Sequence, residues 1–210
     1  MSTRLHVLMV CMGNICRSPM AERLLALRLT ERLGPPAADL VVVHGAGTGA
    51  WHEGEPMHRQ AHDEVLARGG DPAGFRARAL VAAMLAEPAD EIVDEVHGSD
   101  LVLTATIEQV EFVAELDPAA APRTFVLGEF ARLAALVEND VLAPAGTDVA
   151  ARGRALVAAA HRLRDGAHRQ QASRSDEVPD PFGRAPEYFT AVADQIDEAV
   201  TVLADRLAGD

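Results

Sequence analysis

An apolar run over residues 5–10 feeds straight into Val10-Cys11-Met12-Gly13-Asn14-Ile15-Cys16-Arg17-Ser18, and a helical pattern leaves near Pro19 and Met20. A strand, a tight loop and a helix N-terminus in that order form the opening unit of an α/β fold. The same arrangement holds anions, because loop N–H groups point inward and the positive end of the helix dipole lies beneath them. Gly13 permits a left-handed backbone and Asn14 tolerates one better than most residues. Pro19 suits the first helical turn, where a missing N–H is no loss. The unusual part is the side chains: a cysteine opens the loop and an arginine closes it.

Cys11 falls at the C-terminal end of the predicted strand, where open α/β sheets place their ligands. Backbone N–H groups, a helix N-terminus and the Arg17 guanidinium all favour negative charge on a sulfur there. Arg17 offers a planar fork to two phosphate oxygens at once, in the substrate and then in the transition state. Ser18 can donate to the sulfur or cap the helix. Met12, Gly13, Asn14, Ile15 and Cys16 complete an oxyanion cradle with the Cys11 sulfur at its centre. Alone, each residue reads as a buried thiol or a surface cation; in this order they read as chemistry. The loop has no lysine and does not match GxxxxGK[ST], so ATP or GTP is a poor explanation.

The 210 residues, 49% of them apolar, suggest one domain with room for a good core. No run is long enough to cross a membrane, and residues 5–10 are too short for a signal-peptide core. The expected compartment is therefore the cytoplasm, which keeps thiols reduced. With 19 Lys and Arg against 32 Asp and Glu, the net charge of −13 argues against nucleic acid and anionic membranes as partners. The loop itself must recruit phosphate. Two cysteines, Cys11 and Cys16, exclude a multi-cysteine zinc knuckle and a secreted disulfide scaffold.

Further along, residues 21–33 form an amphipathic helix ended by Gly34-Pro35-Pro36, and residues 40–43 a short buried strand. The small-residue stretch 44–51 reads as a loop approaching the first one, with Trp51 either packing or walling a flat aromatic substrate. Helices are predicted over 60–68, 79–85, 109–116, 129–137 and 150–163, with the acidic 90–96 extending the second of these. Strands are predicted over 101–104 and 123–127. Asp100 either anchors a neighbouring turn or is solvated. The polar residues 164–177 read as a mobile loop. In Val178-Pro179-Asp180-Pro181-Phe182-Gly183, flanking prolines stiffen a carboxylate, which suits either a turn or a general acid. Residues 188–207 form the closing helix, with Ala193, Ile196, Val200 and Leu203 spaced to pack on the sheet. His44, His52, His58 and His62 carry no HExxH pattern and read as surface or cap residues rather than a metal site.

The stretch from Cys11 to Arg17 with Ser18, Pro19 and Met20, and the wider residues 9–24, resemble the signature of the low-molecular-weight protein tyrosine phosphatases. Trp51 with Glu55-Pro56-Met57-His58, and Asp180-Pro181 near the C-terminus, resemble it as well. The resemblance implies a three-layer α/β sandwich, a four-stranded parallel sheet with helices on both faces, of the phosphotyrosine phosphatase I-like type. It implies a covalent phosphocysteine on Cys11, Asp180 as general acid and base, Trp51 in the cleft and a metal-independent enzyme without cofactors. Cys16 either packs under the loop or forms a reversible disulfide with oxidised Cys11, a role the resemblance supports.

Three departures stand out. The family often has a serine where this chain has Gly45, and that serine helps hold the asparagine corresponding to Asn14. The brace here falls to Thr48, His44 or a backbone group, or is lost. Phe182 and Gly183 stand where tyrosines are common. The segments near 82–98 and 138–177 make the chain longer than compact members and read as peripheral embellishment of one domain spanning residues 1–210, or as a partner surface.

The expected activity is hydrolysis of phosphotyrosine in a protein or of a small aryl phosphate, by a monomer or weak homodimer. Trp51 and Phe182 would flank the ring. Ile15 favours phosphotyrosine over phosphoarginine, since some arginine-specific relatives have threonine there. The alternatives are an arsenate reductase using an external thiol and a non-catalytic phosphate or phosphoprotein binder.

Overall fold

The computed structural model describes residues 3–88, 98–166 and 171–209. Its centre is β1, Leu5–Cys11, with all seven residues buried. A strand buried throughout, and apolar but for His6, fits where both faces of a parallel sheet are covered. Helix α1, Arg17–Leu33, follows at once and begins earlier than the sequence pattern, so that Arg17 and Ser18 lie in its buried first turn. It stops at Gly34, whose φ of +73° needs no side chain. A short α2, Ala37–Leu40, leads into β2, Val41–Gly47.

After α3, Arg59–Ala67, and the short α4, Ala82–Leu85, come β3, Leu101–Thr104, α5, Ile107–Leu116, and β4, Thr124–Val126. The chain ends in α6, Leu127–Leu136, α7, Asn139–Leu142, α8, Val149–Asp165, and α9, Pro186–Ala208. The strands form one four-stranded sheet in the order β2-β1-β3-β4, parallel throughout. Helices cover both faces, as the motifs imply.

Alternation along β1 divides the interior. Leu5, Val7, Met9 and Cys11 face a large core shared with α1, α6, α8 and α9; Leu8 and Val10 face a smaller one with Met84, Leu85 and Val113. Each fully buried leucine of α1, such as Leu24, Leu25 and Leu29, contributes about 1.5–3 kcal/mol. Arg28–Asp197 and Arg32–Asp205 tie α1 to α9 at 2.7 and 2.6 Å. These half-exposed pairs add less than about 1 kcal/mol each.

Four expectations change. The stretch read as a loop from residue 44 continues as strand to Gly47, where each residue pairs with β1 as far as Cys11. The helix expected from residue 79 starts only at Ala82, because Ala79 forms a parallel bridge to Gly47. Residues 90–96, expected to extend it, lie outside the described residues. The 138–177 segment does not stay at the margin: Leu142, Leu156 and Ala160 are fully buried in the main core. Small residues on α8 permit this, since a Cβ on Gly153 would fall 2.5 Å from Leu5. The expected mobile loop is also strapped down where it is described: Asp176 is buried, and Arg132 reaches it at 3.1 Å. No helix among the described residues is long and apolar enough to cross a membrane.

Candidate active site

The loop after β1 is shaped by its neighbours. The N–H groups of Thr48, Gly49 and His58 donate to the carbonyls of Cys11, Met12 and Ile15 at 2.8–2.9 Å. Those bonds turn the loop carbonyls outward. Among the described residues, no backbone carbonyl takes an N–H from Met12 to Cys16. These N–H groups and the start of α1 are therefore available to an anion. Asn14 takes a left-handed backbone with φ of +52°. Gly47 lets β2 lie against the loop, since a Cβ there would stand 2.8 Å from the Met12 carbonyl oxygen and 3.0 Å from the Asn14 nitrogen.

Inside the cradle, Cys11 Sγ lies 3.0 Å from Ser18 Oγ. Asn14 Nδ2 donates to the same oxygen at 2.8 Å. Ser18 thus has its acceptor role filled and its own hydrogen free for the sulfur. The Arg78 N–H donates to Asn14 Oδ1 at 2.9 Å. The brace sought at Thr48, His44 or a backbone group is this backbone N–H. Arg17 is buried, and its fork spans two points of the far segment: Nη1 donates to the Val178 carbonyl at 3.3 Å and Nη2 to Asp180 Oδ2 at 2.8 Å. Cys16 is also a buried free thiol. Burial, reinforced by the neighbouring Cys11 and Asp180 and opposed by Arg17, pushes it up to about 12. Cys16 therefore stays protonated at neutral pH.

The Asp180 segment is held from several elements. The Val178 N–H donates to the Ala105 carbonyl at 2.8 Å. Glu177 takes the Ile107 N–H on its carboxylate and Gln195 Nε2 on its carbonyl. Asp180 Oδ1 accepts from the Phe182 N–H at 3.1 Å, a turn that aims the carboxylate into the cleft. Its side chain is 43% exposed.

Cys11, Met12, Gly13, Ile15, Cys16, Arg17, Asp180, Trp51 and Phe182 line a single cavity of about 220 Å³. Asn14 and Ser18 lie beneath it. Trp51, 65% exposed, is not a core residue, and Phe182 is 57% exposed. Both stand at the rim, where an aromatic group could enter between them. His52, read from sequence as a surface histidine, lines the same cavity. Its ring lies 6.5 Å from Trp51 and 6.4 Å from Phe182, and its Nδ1 is 2.7 Å from Glu55 Oε2. The spacing His52 to Glu55 was the available signal. Arg78 and Val178 act through backbone atoms and left no side-chain signal. The other histidines diverge: His44 is buried, 3.5 Å from Ser99 Oγ, His58 stacks on Phe189, and His62 lies beside Asp63. Among the described residues no three His, Cys, Asp or Glu converge as metal ligands. Asp100 is an anchor, accepting from the His6 N–H and from Arg154 Nε.

Comparison with known proteins adds the following. The profile of the family described as low molecular weight phosphotyrosine protein phosphatase matches residues 6–169. A Staphylococcus epidermidis protein named low molecular weight protein-tyrosine-phosphatase PtpA is 32% identical over 67% of this chain and 78% of its own. Low molecular weight protein-tyrosine phosphatase A of Mycobacterium tuberculosis is 40% identical over 56% of this chain and 71% of its own. Among solved structures, Vibrio vulnificus Wzb in complex with benzylphosphonate superposes with a TM-score of 0.61 at 21% identity, over 96% of this chain and 97% of that one. The YwlE arginine phosphatase of Geobacillus stearothermophilus gives 0.60 at 23%, over 97% and 92%. These two likenesses concern the fold.

Proposed function

Because the chain belongs to the low molecular weight phosphotyrosine protein phosphatases, we propose that it hydrolyses phosphotyrosine, in a protein or a small aryl phosphate, through a covalent intermediate on Cys11. The observation that carries this is the buried Cys11 sulfur, 3.0 Å from a Ser18 hydroxyl and set in a cradle closed by the Arg17–Asp180 contact of 2.8 Å.

The phosphoryl group settles on the free loop N–H groups and the Arg17 fork, displacing Asp180 from Nη2. The Cys11 thiolate attacks phosphorus in line, and an S–P bond forms as the P–O bond to the phenol breaks. Arg17 and the loop hold the three equatorial oxygens as charge spreads over them. Asp180, carrying the proton, gives it to the departing phenolate oxygen. In the second step Asp180 takes a proton from water, which attacks phosphorus, breaks the S–P bond and frees phosphate. Ser18 supports the leaving thiolate in that step.

The rim supports an aryl group: Trp51 and Phe182 flank the entrance and the apolar Ile15 lines its wall. One copy of the chain supplies every group named, so a single chain of residues 1–210 is the proposed catalytic unit. A net charge of −13 leaves recognition of phosphate to the loop.

The test is aryl phosphate hydrolysis from pH 5 to 8 with a metal chelator present, for the parent, Cys11→Ser and Asp180→Asn. Turnover that needs Cys11 and is strongly reduced without the Asp180 carboxyl supports the mechanism. A parent that binds phosphate but does not turn over would overturn it in favour of an anion receptor. Arsenate reduction with a small thiol as donor, in place of ester hydrolysis, would redirect the same cradle to the arsenate chemistry.

A further inference from the structure

Helix α1 carries a buried carboxyl that the reaction above does not use. Glu22 is 6% exposed, and its Oε2 has no hydrogen-bond partner. Its Oε1 lies 3.4 Å from Arg23 Nε. Burial pushes Glu22 up to about 7, against the pull of Arg23 and Arg78. An acid in such a place is costly to ionise unless its charge is paired and hydrogen-bonded.

The direction of Oε2 shows what it faces. A Cβ built on Gly45 would stand 2.9 Å from Glu22 Oε2 and 2.8 Å from Asn14 Nδ2. The carboxyl from α1 and the amide from the loop therefore converge on the one point of β2 that has no side chain. Asn14 has two amide hydrogens, and Ser18 takes one. The other is left for the Gly45 side, where the unpartnered oxygen is the acceptor at hand.

Resting on the phosphatase reading for its kinetic part, we infer that Glu22 is a positioning residue for the nucleophile loop: its carboxyl fills the gap at Gly45 and steadies Asn14, and through Asn14 it sets Ser18 against the Cys11 sulfur. Asn14 is hydrogen-bonded by the Arg78 N–H on Oδ1 and to Ser18 through one amide hydrogen, and the Glu22 carboxyl faces its Nδ2 across the Gly45 gap. The charged groups facing Glu22 are Arg23 on its own helix and Arg78 on the segment beyond α3.

Two substitutions at one point of contact provide the test. Glu22→Ala is expected to lower kcat about tenfold with KM little changed, since phosphate still meets the same N–H groups. Gly45→Ser alone is expected to lower kcat too, because its Cβ crowds both polar groups. In the double variant the new hydroxyl has the space that Glu22 vacates, so it is expected to regain most of the loss. Glu22→Gln keeps an acceptor and is expected to hold kcat near the parent value while removing a pH inflection near 7. Cys11 alkylation by iodoacetamide at pH 6 gives a readout free of turnover. It is expected to slow several-fold in Glu22→Ala and recover in the double variant, because a slack Ser18 supports less thiolate.

Thermal midpoints of the parent and the four variants exclude a folding defect as the cause. Parent-like kcat and alkylation in Glu22→Ala, or effects of the two substitutions that simply add, would overturn the inference. A parent with no turnover would sink the phosphatase reading, while the alkylation rates would still decide the role of Glu22.

Discussion

The cysteine loop and the aspartate segment meet at Arg17, but they are built in opposite ways. The loop is continuous in sequence, and Cys11, Asn14, Arg17 and Ser18 are all at most 5% exposed. Its side chains hold one another. The Asp180 segment is half open to solvent and holds little of itself together. It borrows a carbonyl from Ala105, an amide from Gln195 and a guanidinium from Arg132. The difference fits the proposed tasks. An anion cradle works only if its dipoles are fixed before charge develops. A proton donor must reach water and a departing group in turn, so it needs aim more than enclosure.

The sharpest way to break this contrast is at the two ends of the chemistry. Cys11→Ser is expected to abolish aryl phosphate turnover, by about 10⁴-fold or more, with phosphate affinity within a few-fold of the parent. Loss of phosphate binding would mean the cradle depends on the sulfur. Asp180→Asn is expected to cost about 10²–10³-fold with a poor phenol leaving group and much less with a good one, because only the former needs the proton. Equal losses for both leaving groups would make Asp180 a scaffold residue.

Packing should separate the regions next. Gly47→Ala forces a Cβ within 3.0 Å of three backbone atoms of the loop, so it is expected to lower both stability, by about 1–3 kcal/mol, and kcat. A variant with parental midpoint and rate would show that the loop yields easily. The smallest effect belongs to the far anchor. Burial alone would raise Asp176, but its hydrogen bonds to Arg132 and Ser173 outweigh burial and hold it below its ordinary value. Its contribution is therefore present above 3.8 and fades as pH falls through the lowered value. Arg132→Ala is expected to cost about 1 kcal/mol at neutral pH, with the gap to the parent closing in acid, and to slow turnover only a few-fold. Chemical denaturation at both pH values checks this.

The same contrast governs what could be read from sequence. Residues 5–10 announce a strand because the run is apolar but for His6, and residues 101–104 coincide with β3. Cys11, Arg17 and Ser18 fall within one short stretch of the sequence. Gly45, Ala46 and Gly47 misled, because a run without side chains reads as a loop when it is in fact strand pressed against another backbone. Ala79 misled in the same way, its backbone being taken by Gly47. Arg78 and Val178 were invisible because they act through main-chain atoms. The alanine-rich α8 looked peripheral, although small residues are what allow it to lie close to β1. Asp180 stood out in the sequence only beside the cysteine loop, and the structure brings it to Arg17 at 2.8 Å.

Arg17 and Asp180 stand 163 positions apart, and that separation has a consequence for how the protein comes into being. At a synthesis rate of roughly 5–20 residues per second, the 163-residue interval lasts on the order of ten to thirty seconds. Throughout it Cys11 has been made, but neither Asp180 nor the α9 surface that covers α1 has. The Arg17–Asp180 contact and the packing of α9 on α1 both wait for the last part of the chain to be made.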